Sequence, residues 1–325
     1  MLIIRTPLRV SLFGGGTDID PFMSLHGGQV LSLAIRKYIY ISIHPLVESS
    51  DILLKYSRNE KVGSADEVQH RVFRAVLTKY GLSGIDISVS ADIAAGTGLG
   101  SSSAFTVGLI NLIENYLGSK LDRGRLADMA AEIEIDVLNE PIGIQDQYAA
   151  AFGGVNLMEF HSRTNVNVIP ISMTRKMEEI LNENMILVRI PGTRSASNIL
   201  LHQKSQMFSS KSIEALQQIK QHVSLGLEAW QDSASALGEL LHQSWVMKQR
   251  LSESISNIGI NDTYNLLRSR GFYGGKLLGA GGSGYMLLVG SKDAVHTLSL
   301  DDNFNTTPIQ IDFGGSKVIY SSDNE

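Results

Sequence analysis

Hydrophobic residues alternate with polar ones, or form short apolar runs, over several stretches in the first half of the chain. Such runs at 3–13, 29–45 and 51–57, and again in IDISVSADI at 85–93, predict β-strands. Between the third and fourth of them the apolar positions change to a helical spacing at about 66–80. The first half is therefore predicted to mix strands and helices.

Two more helices are predicted after a glycine-rich turn. The second spans about 122–138, and Asp122 is placed to cap its first turn. The first spans about 101–117, and its apolar face consists of Phe105, Leu109, Leu112, Ile113 and Tyr116.

The second half reads differently. The segment PIGIQDQYAAAFGG (141–154) leads into the strand-like runs GVNLMEFH and NVNVIPI, a short helix and the strand MILVRIP. Long helices are then predicted up to about 270, followed by a glycine-rich turn at 274–284, the strand YMLLVG and final strands near 308–320. We place a domain boundary near 160–185 and expect an α+β fold of two domains, 1–175 and 176–325.

Composition narrows the class of protein. With 325 residues, 43% of them hydrophobic, and a mean hydropathy of +0.03, the chain suits a soluble globular protein with a sizeable core. A net charge of −5 and a pI near 5.9 offer no general attraction for nucleic acid or an anionic membrane, so neither is an expected partner. Any phosphate binding must be local.

Two further absences in the sequence bear on location and chemistry. The chain has no cysteine, which excludes disulfides, thiolate zinc sites and cysteine nucleophiles. No apolar run approaches the roughly 18 residues that cross a bilayer, and the start of the chain, LIIRTPLRVSLF, reads as a strand and not as a signal peptide. We expect a cytoplasmic protein.

The run GTGLGSSSA (96–104) is the strongest candidate for chemistry. Its glycines allow a tight turn, and the serines that follow occupy the first turn of a helix, where free amides and the helix dipole favour an anion. It lacks the lysine of the Walker A loop and the glycine spacing of the Rossmann motif. Taken alone, the run is also compatible with an ordinary helix cap.

Glycine blocks at 14–16, 96–100 and 279–284 each adjoin a strand-like run. A fold that brought the three together would surround one nucleotide. Each block by itself is equally well explained as a turn, or as a bend needed for close packing.

Glu134 lies on the apolar stripe of the predicted helix 122–138. The stripe also contains Ala127, Ala130, Ala131 and Leu138, and should be buried. A buried carboxylate needs a cationic partner, and Mg²⁺ beside a triphosphate would supply one. The alternative is a glutamate at the edge of the stripe that reaches water or an arginine.

Three further residues could support phosphoryl transfer to an alcohol. Asp146 follows a proline and a glycine, where a loop can aim it into a cleft, and Arg9 and Asp18 lie on and just after the first strand. Individually they are more typical of a cap, a surface cation and a turn residue. Together they could supply a base, a cation that holds it ionised and a hydrogen-bonding group for the substrate.

These residues fall within motifs that resemble those of the GHMP kinases, named for galactokinase, homoserine kinase, mevalonate kinase and phosphomevalonate kinase. TPLRVSLFGGGTD (6–18), GTGLGSSSA (96–104) and KLLGAGGSGYMLL (276–288) are similar to the three motifs of the family, in the same order. The resemblance implies an N-terminal α/β domain like that of a ribosomal protein, a ferredoxin-like C-terminal domain and ATP bound between them.

The resemblance also implies roles for individual residues. Asp146 matches the catalytic aspartate, with Arg9 as its partner, and Ser102 and Glu134 match the Mg²⁺ ligands. The residues expected to bind ATP are Gly96, Thr97, Gly98, Leu99, Gly100, Ser101, Ser102 and Ser103.

Within the family, GGGTD is similar to the branch that phosphorylates D-glycero-D-manno-heptose 7-phosphate on its anomeric oxygen, and differs from the GEHTD of galactokinase. Substrate binding is therefore expected from Gly15, Gly16, Thr17 and Asp18. Arg194 is the first candidate for the distal phosphate and Lys276 the second, because a guanidinium can grip a phosphate with two hydrogen bonds. Another sugar-1-kinase, such as an L-fucose kinase, and a sugar sensor without catalysis remain alternatives, and the oligomeric state is left open.

Overall fold

The computed structural model describes residues 1–192 and 209–322, which form two β-sheets with helices packed around them. The strands are β1 (Leu2–Phe13), β2 (Gly28–Pro45), β3 (Ile52–Lys55), β4 (Asn59–Val62), β5 (Ile85–Ala91), β6 (Val155–Ser162), β7 (Asn165–Pro170), β8 (Met185–Ile190), β9 (Phe272–Leu277), β10 (Gly284–Gly290), β11 (Thr306–Thr307) and β12 (Lys317–Ser321). The helices are α1 (Phe22–His26), α2 (Arg71–Tyr80), α3 (Ser101–Tyr116), α4 (Arg123–Ala131), α5 (Gln145–Phe152), α6 (Arg175–Asn184), α7 (Ser210–Asp232), α8 (Ala234–Gln249), α9 (Ile258–Ser269) and α10 (Lys292–Ser299).

The first sheet is built around the long strand β2. The order of its main path is β12-β1-β2-β5-β3-β4, with β6 pairing to β2 and β7 to β6. The first part of β2, from Gly28 to Leu33, pairs with β6, whereas the part from Ile39 to Pro45 pairs with β5. One strand therefore supports two branches of the sheet, and β1 pairs with both parts of β2.

Helix α3 lies in the centre of the first layer. It packs on β1, β2, α4 and α5, and most of its residues are buried, on more than the one face that the sequence predicted. Helices buried on all sides belong to protein interiors. The start of α3, with the three serines, is thereby held firmly between the sheet and the neighbouring helices.

The second sheet has the order β11-β8-β10-β9, and each adjacent pair is antiparallel. Its strands and helices follow one another as β8, helices α7 to α9, β9, β10, α10 and β11. This βαββαβ order with the first and third strands adjacent is the ferredoxin-like arrangement. The prediction of a two-part α+β fold is confirmed.

The predicted helix 122–138 changes its winding midway. Asp122 caps α4 as predicted, since its side chain accepts a hydrogen bond from the Arg125 amide at 2.8 Å. A π-helical segment, Glu132–Val137, then follows, and the Leu138 amide reaches back to the Ile133 carbonyl at 3.0 Å. π-Segments are frequent at functional sites, and this one contains Glu134.

The structure differs from the prediction at two places in the second half of the chain. Residues 272–277 form strand β9 although the sequence predicted a turn over 274–284, because Gly274 and Gly275 let β9 pack closely against α8 and β10. The last strand, β12, returns to the first sheet and pairs with β1. The domain boundary between residues 175 and 176 stays a prediction.

Within residues 1–192 and 209–322, no helix has both the length and the apolar content needed to cross a bilayer.

Candidate active site

A cavity of about 430 Å³ lies where the three glycine blocks meet. The prediction that these distant blocks converge is correct, since each contributes to the cavity wall. The candidate residues that line it are Arg9, Gly15, Gly16, Asp18, Gly96, Gly98, Gly100, Ser101, Ser102, Ser103, Glu134, Asp146 and Lys276.

The second and third glycine blocks touch through their backbones. Gly98 has a φ of +79°, and a Cβ atom on it would lie 2.4 Å from the Leu278 carbonyl oxygen. A Cβ on Gly279 would lie 2.5 Å from the Gly98 Cα. The Tyr285 amide donates to the Thr97 carbonyl at 2.9 Å. Glycine is needed here because the two loops approach closer than any side chain allows.

The glycine-rich loop ends at the N-terminus of α3. Gly100 stands at the cap with a φ of +74°, and Ser101 to Ser103 form the first turn facing the cavity. The first amides of a helix have no partner within the helix, and they carry the positive end of its dipole. The loop and helix together form a site suited to phosphate.

Arg9 and Asp146 form a two-point ion pair on the cavity wall. Arg9 Nε and one terminal nitrogen donate to the two Asp146 carboxylate oxygens at 2.8 and 2.9 Å, and the other terminal nitrogen donates to the Gly98 carbonyl at 2.6 Å. Arg9 is 5% exposed, whereas the Asp146 side chain is 23% exposed. Arg9 thus fixes the orientation of a carboxylate that a ligand in the cavity can reach.

Asp18 is occupied by neighbouring groups. Its oxygens accept hydrogen bonds from the Gly16 amide at 3.0 Å, from the Gln145 amide at 3.0 Å and from the Gln145 side chain at 2.9 Å. Burial raises the pKa of Asp18 above its ordinary value. Asp18 therefore ties the first glycine block to the start of α5, and Gln145, which the sequence analysis missed, is the residue it holds.

Glu134 is buried, as the stripe argument predicted, and is 1% exposed. Ser102 Oγ donates to one carboxylate oxygen at 3.2 Å and Gln147 Nε2 to the other at 2.6 Å. Burial raises the pKa of Glu134 to about 7, although hydrogen bonds from Ser103 and Gln147 act in the opposite direction. Gln147 was not predicted, although it lies one residue after Asp146.

Two lysines face the same cavity from the second sheet and its helices. Lys276 on β9 is 6% exposed, and its Nζ donates to the Leu12 carbonyl at 3.1 Å. Lys248 on α8 donates to the carbonyls of Leu277 and Gly279. Lys248 was missed, yet it follows the buried Leu241 and Trp245 at helical spacing, which marks it as a charge on a buried face.

Some candidates lie behind the cavity wall. The Thr17 hydroxyl donates to the Gly14 carbonyl at 2.8 Å, and Thr97 and Leu99 are buried. The Leu99 carbonyl accepts from the Arg9 amide at 3.0 Å, so Leu99 supports the ion pair. Arg194 lies outside the described residues.

A glycine-rich phosphate site facing an arginine-held aspartate, on this two-sheet fold, defines the class as a small-molecule kinase. The family GHMP kinases N terminal domain matches residues 68–154. D-glycero-alpha-D-manno-heptose 7-phosphate kinase of Campylobacter jejuni is 33% identical over 298 residues, which are 87% of each chain. The chain belongs to the GHMP kinase family, and it is an ATP-dependent phosphotransferase of the sugar kinase type.

Other relatives agree with this assignment. The solved structure of a D-glycero-D-manno-heptose 1-phosphate kinase from Bacteroides thetaiotaomicron has a TM-score of 0.78 and 26% identity, over 99% of this chain and all of that one. L-fucokinase/L-fucose-1-P guanylyltransferase of Bacteroides fragilis is 26% identical over 88% of this chain, which corresponds to 34% of that longer protein. Streptococcus pneumoniae phosphomevalonate kinase, at 14% identity and a TM-score of 0.77, shares the fold.

Proposed function

We propose that the protein transfers the γ-phosphoryl group of ATP to the anomeric hydroxyl of D-glycero-D-manno-heptose 7-phosphate and forms the 1,7-bisphosphate. The observation that carries the proposal is the Arg9–Asp146 pair, which lies on the same cavity as the phosphate loop at 96–103. The choice of sugar rests on the Campylobacter jejuni relative, whose name states that substrate. The product would serve the synthesis of nucleotide-activated heptose for surface polysaccharide.

Asp146 is proposed as the base. Its carboxylate accepts the proton of the anomeric hydroxyl as the oxygen attacks the γ-phosphorus; the new O–P bond forms while the bond to the bridging oxygen of ADP breaks. Arg9 contributes in two ways. Its bidentate contact holds the Asp146 carboxylate in one orientation, and its positive charge balances the negative charge of that carboxylate.

The residues around Glu134 fit a magnesium ion. Mg²⁺ prefers oxygen ligands, and Glu134 and Ser102 present a carboxylate and a hydroxyl that lie together on the cavity wall. A buried carboxylate whose pKa is raised is stabilised in its ionised form by a nearby cation. Glu134 and Ser102 are the residues that would hold the ion. When bound, the ion would neutralise charge on the phosphates.

The sugar is proposed to lie against the first glycine block. Gly15 and Gly16 present backbone without side chains to the cavity, and Asp18 and Thr17 hold that backbone in place. Arg194 stays our proposal for the distal phosphate. Direct contact between Asp18 and sugar hydroxyls also stays a proposal, since three donors already occupy its oxygens.

An acceptor panel tests the function. ADP release would be measured with heptose 7-phosphate, free heptose, heptose 1-phosphate, L-fucose, D-mannose and mevalonate. We expect the highest kcat/KM with heptose 7-phosphate, and phosphorus NMR should show a new anomeric phosphate. A higher kcat/KM with L-fucose, which the Bacteroides fragilis relative makes the second candidate, would overturn the choice of sugar. Sugar binding with no ADP release from any acceptor would overturn the proposed reaction.

A further inference from the structure

The two lysines of the cavity, Lys276, which is buried, and Lys248, which is partly buried, are cations without an acidic partner. Lys276 donates to the Leu12 carbonyl, and Lys248 to the carbonyls of Leu277 and Gly279. Over residues 1–192 and 209–322, no carboxylate lies within ion-pair distance of either ammonium group. Arg9, which lies nearby, is different because Asp146 balances its charge. The lysines therefore bring two ammonium groups without a carboxylate partner to the cavity wall.

Keeping unpaired ammonium groups away from water costs free energy unless an anion binds beside them. Burial lowers the pKa of Lys248 to about 7 and the pKa of Lys276 well below its ordinary value. Repulsion from the neighbouring positive charge of Arg9 also lowers both pKa values. A charge removed from water requires a partner of opposite sign to offset the desolvation cost. Each ammonium group has three N–H donors. The hydrogen bonds found for Lys276 use one of them, which leaves two for a ligand.

The contacts of the lysines connect each of them to a different part of the cavity wall. Lys248 holds Gly279, which packs on Gly98 of the phosphate loop. Lys276 holds Leu12, which lies between Arg9 and the glycine block at 14–16 on the same strand and its following turn. One lysine is thus connected to the phosphate loop through Gly279, and the other to the strand that leads into the first glycine block.

We propose that Lys248 and Lys276 together bind the phosphoryl group that passes from ATP to the acceptor. This inference rests on the proposed phosphoryl transfer but not on the identity of the sugar. The lysines would donate hydrogen bonds to the non-bridging oxygens of that group, on which charge is spread during transfer, while the bond to ADP breaks and the bond to the acceptor oxygen forms. They are therefore inferred to act on the group being transferred, and the distal phosphate of the acceptor is left to other residues.

Nucleotide affinity tests the proposal without any acceptor. The dissociation constants of ATP and ADP would be measured by calorimetry for the wild type, for Lys276→Met and Lys248→Met, and for the control Lys120→Met. Lys120 is exposed and lies between α3 and α4. We expect the wild type and Lys120→Met to bind ATP more tightly than ADP, and the preference to fall by about tenfold or more in Lys276→Met, since one charged hydrogen bond is worth about 1.5–3 kcal/mol. An unchanged ratio in both cavity variants would overturn the proposal.

Turnover measurements distinguish binding of the transferred phosphoryl group from binding of the phosphate that the acceptor already carries. We expect Lys276→Met to lower kcat by roughly 10²–10³-fold with a phosphorylated and an unphosphorylated sugar alike, the size of effect seen when one charge-stabilising donor is removed. A loss confined to the phosphorylated sugar would instead assign the lysines to the acceptor. Lys276→Arg keeps the charge and should recover part of kcat. If Lys276→Met does not fold, Lys248→Met provides the same comparison, with melting temperature as the check on folding.

Discussion

Asp146 combines a fixed orientation with access to the cavity. Each of its oxygens accepts one hydrogen bond from Arg9, and a carboxylate oxygen has two lone pairs, so both retain capacity for a further proton. A carboxylate that only capped a helix, or that lay at the surface, would not need a buried arginine to hold it in one orientation. This geometry supports the proposal that Asp146 is the base.

Asp146→Asn separates the chemistry from binding. The amide cannot take the acceptor proton, so we expect kcat to fall by roughly 10²–10⁴-fold, the usual contribution of a general base. The dissociation constant for ATP should change little, because the phosphate loop is intact. Stopped-flow turnover and calorimetry check the two expectations, with the exposed Asp262→Asn as control. Near-wild-type kcat in Asp146→Asn would remove Asp146 from the reaction.

Residues on buried helix faces were the most predictable part of the site. Glu134 could be recognised because its neighbours on the stripe are apolar, and the same reasoning, applied to the face of Trp245, would have found Lys248. The roles of Gln145 and Gln147 could not be read in this way. Their partners, Asp18 and Glu134, lie 127 and 13 residues away along the chain, and only the folded arrangement brings the pairs together.

At the level of elements, the contact between the phosphate loop and the third glycine block determines where Arg9 is anchored. Gly98 packs on Leu278 and Gly279, and its carbonyl accepts a hydrogen bond from Arg9. Gly96 has a similar φ of +75°, but none of the described atoms would lie within 4 Å of its Cβ. Alanine in place of Gly96 would therefore introduce backbone strain alone, whereas alanine in place of Gly98 would introduce both backbone strain and a steric clash.

Gly98→Ala should destabilise the protein more than Gly96→Ala. A left-handed alanine costs about 1–2 kcal/mol in either position. At position 98 the added Cβ also meets the Leu278 carbonyl at 2.4 Å, and the loops must separate. We expect the free energy of unfolding in urea to fall by about 1–2 kcal/mol in Gly96→Ala and by a further 1–3 kcal/mol in Gly98→Ala, as overpacking does. Equal losses in the two variants would show that the loop contact contributes nothing.

Element types were easier to predict than their junctions. The periodicity identified β1, β2, β5 and α3, whose patterns are long and strongly apolar. It missed the short strand β4, whose exposed and partly buried residues carry no clear period. The change from α4 to the π-segment also has no signal in the pattern, because it depends on tertiary packing around Glu134.

For the whole molecule, the path of the last residues links the two sheets. After β11 in the second sheet, the chain returns to the first. The Asp312 amide donates to the Ala34 carbonyl at 2.9 Å, the Asp312 carbonyl accepts from the Gly154 amide at 2.6 Å, and β12 then pairs with β1. The hydrophobic pattern contains no sign of this return, because strand partners far apart in sequence leave no local pattern. The stability of the first sheet should therefore depend on residues near the end of the chain.

Asp312 is the point at which this dependence can be measured. Its carboxylate, in a residue 3% exposed, accepts hydrogen bonds from the Tyr38 hydroxyl at 2.9 Å and from the amides of Gly314 and Gly315 at 2.9 and 2.8 Å. Asp312→Ala leaves these buried donors unpaired, at about 1–3 kcal/mol for each donor that finds no water, so we expect the free energy of unfolding to fall by about 3 kcal/mol or more. The exposed Asp302→Ala should stay within about 0.5 kcal/mol of the wild type. Urea denaturation checks both, and equal midpoints for the two variants would mean that the returning segment does not hold the first sheet together.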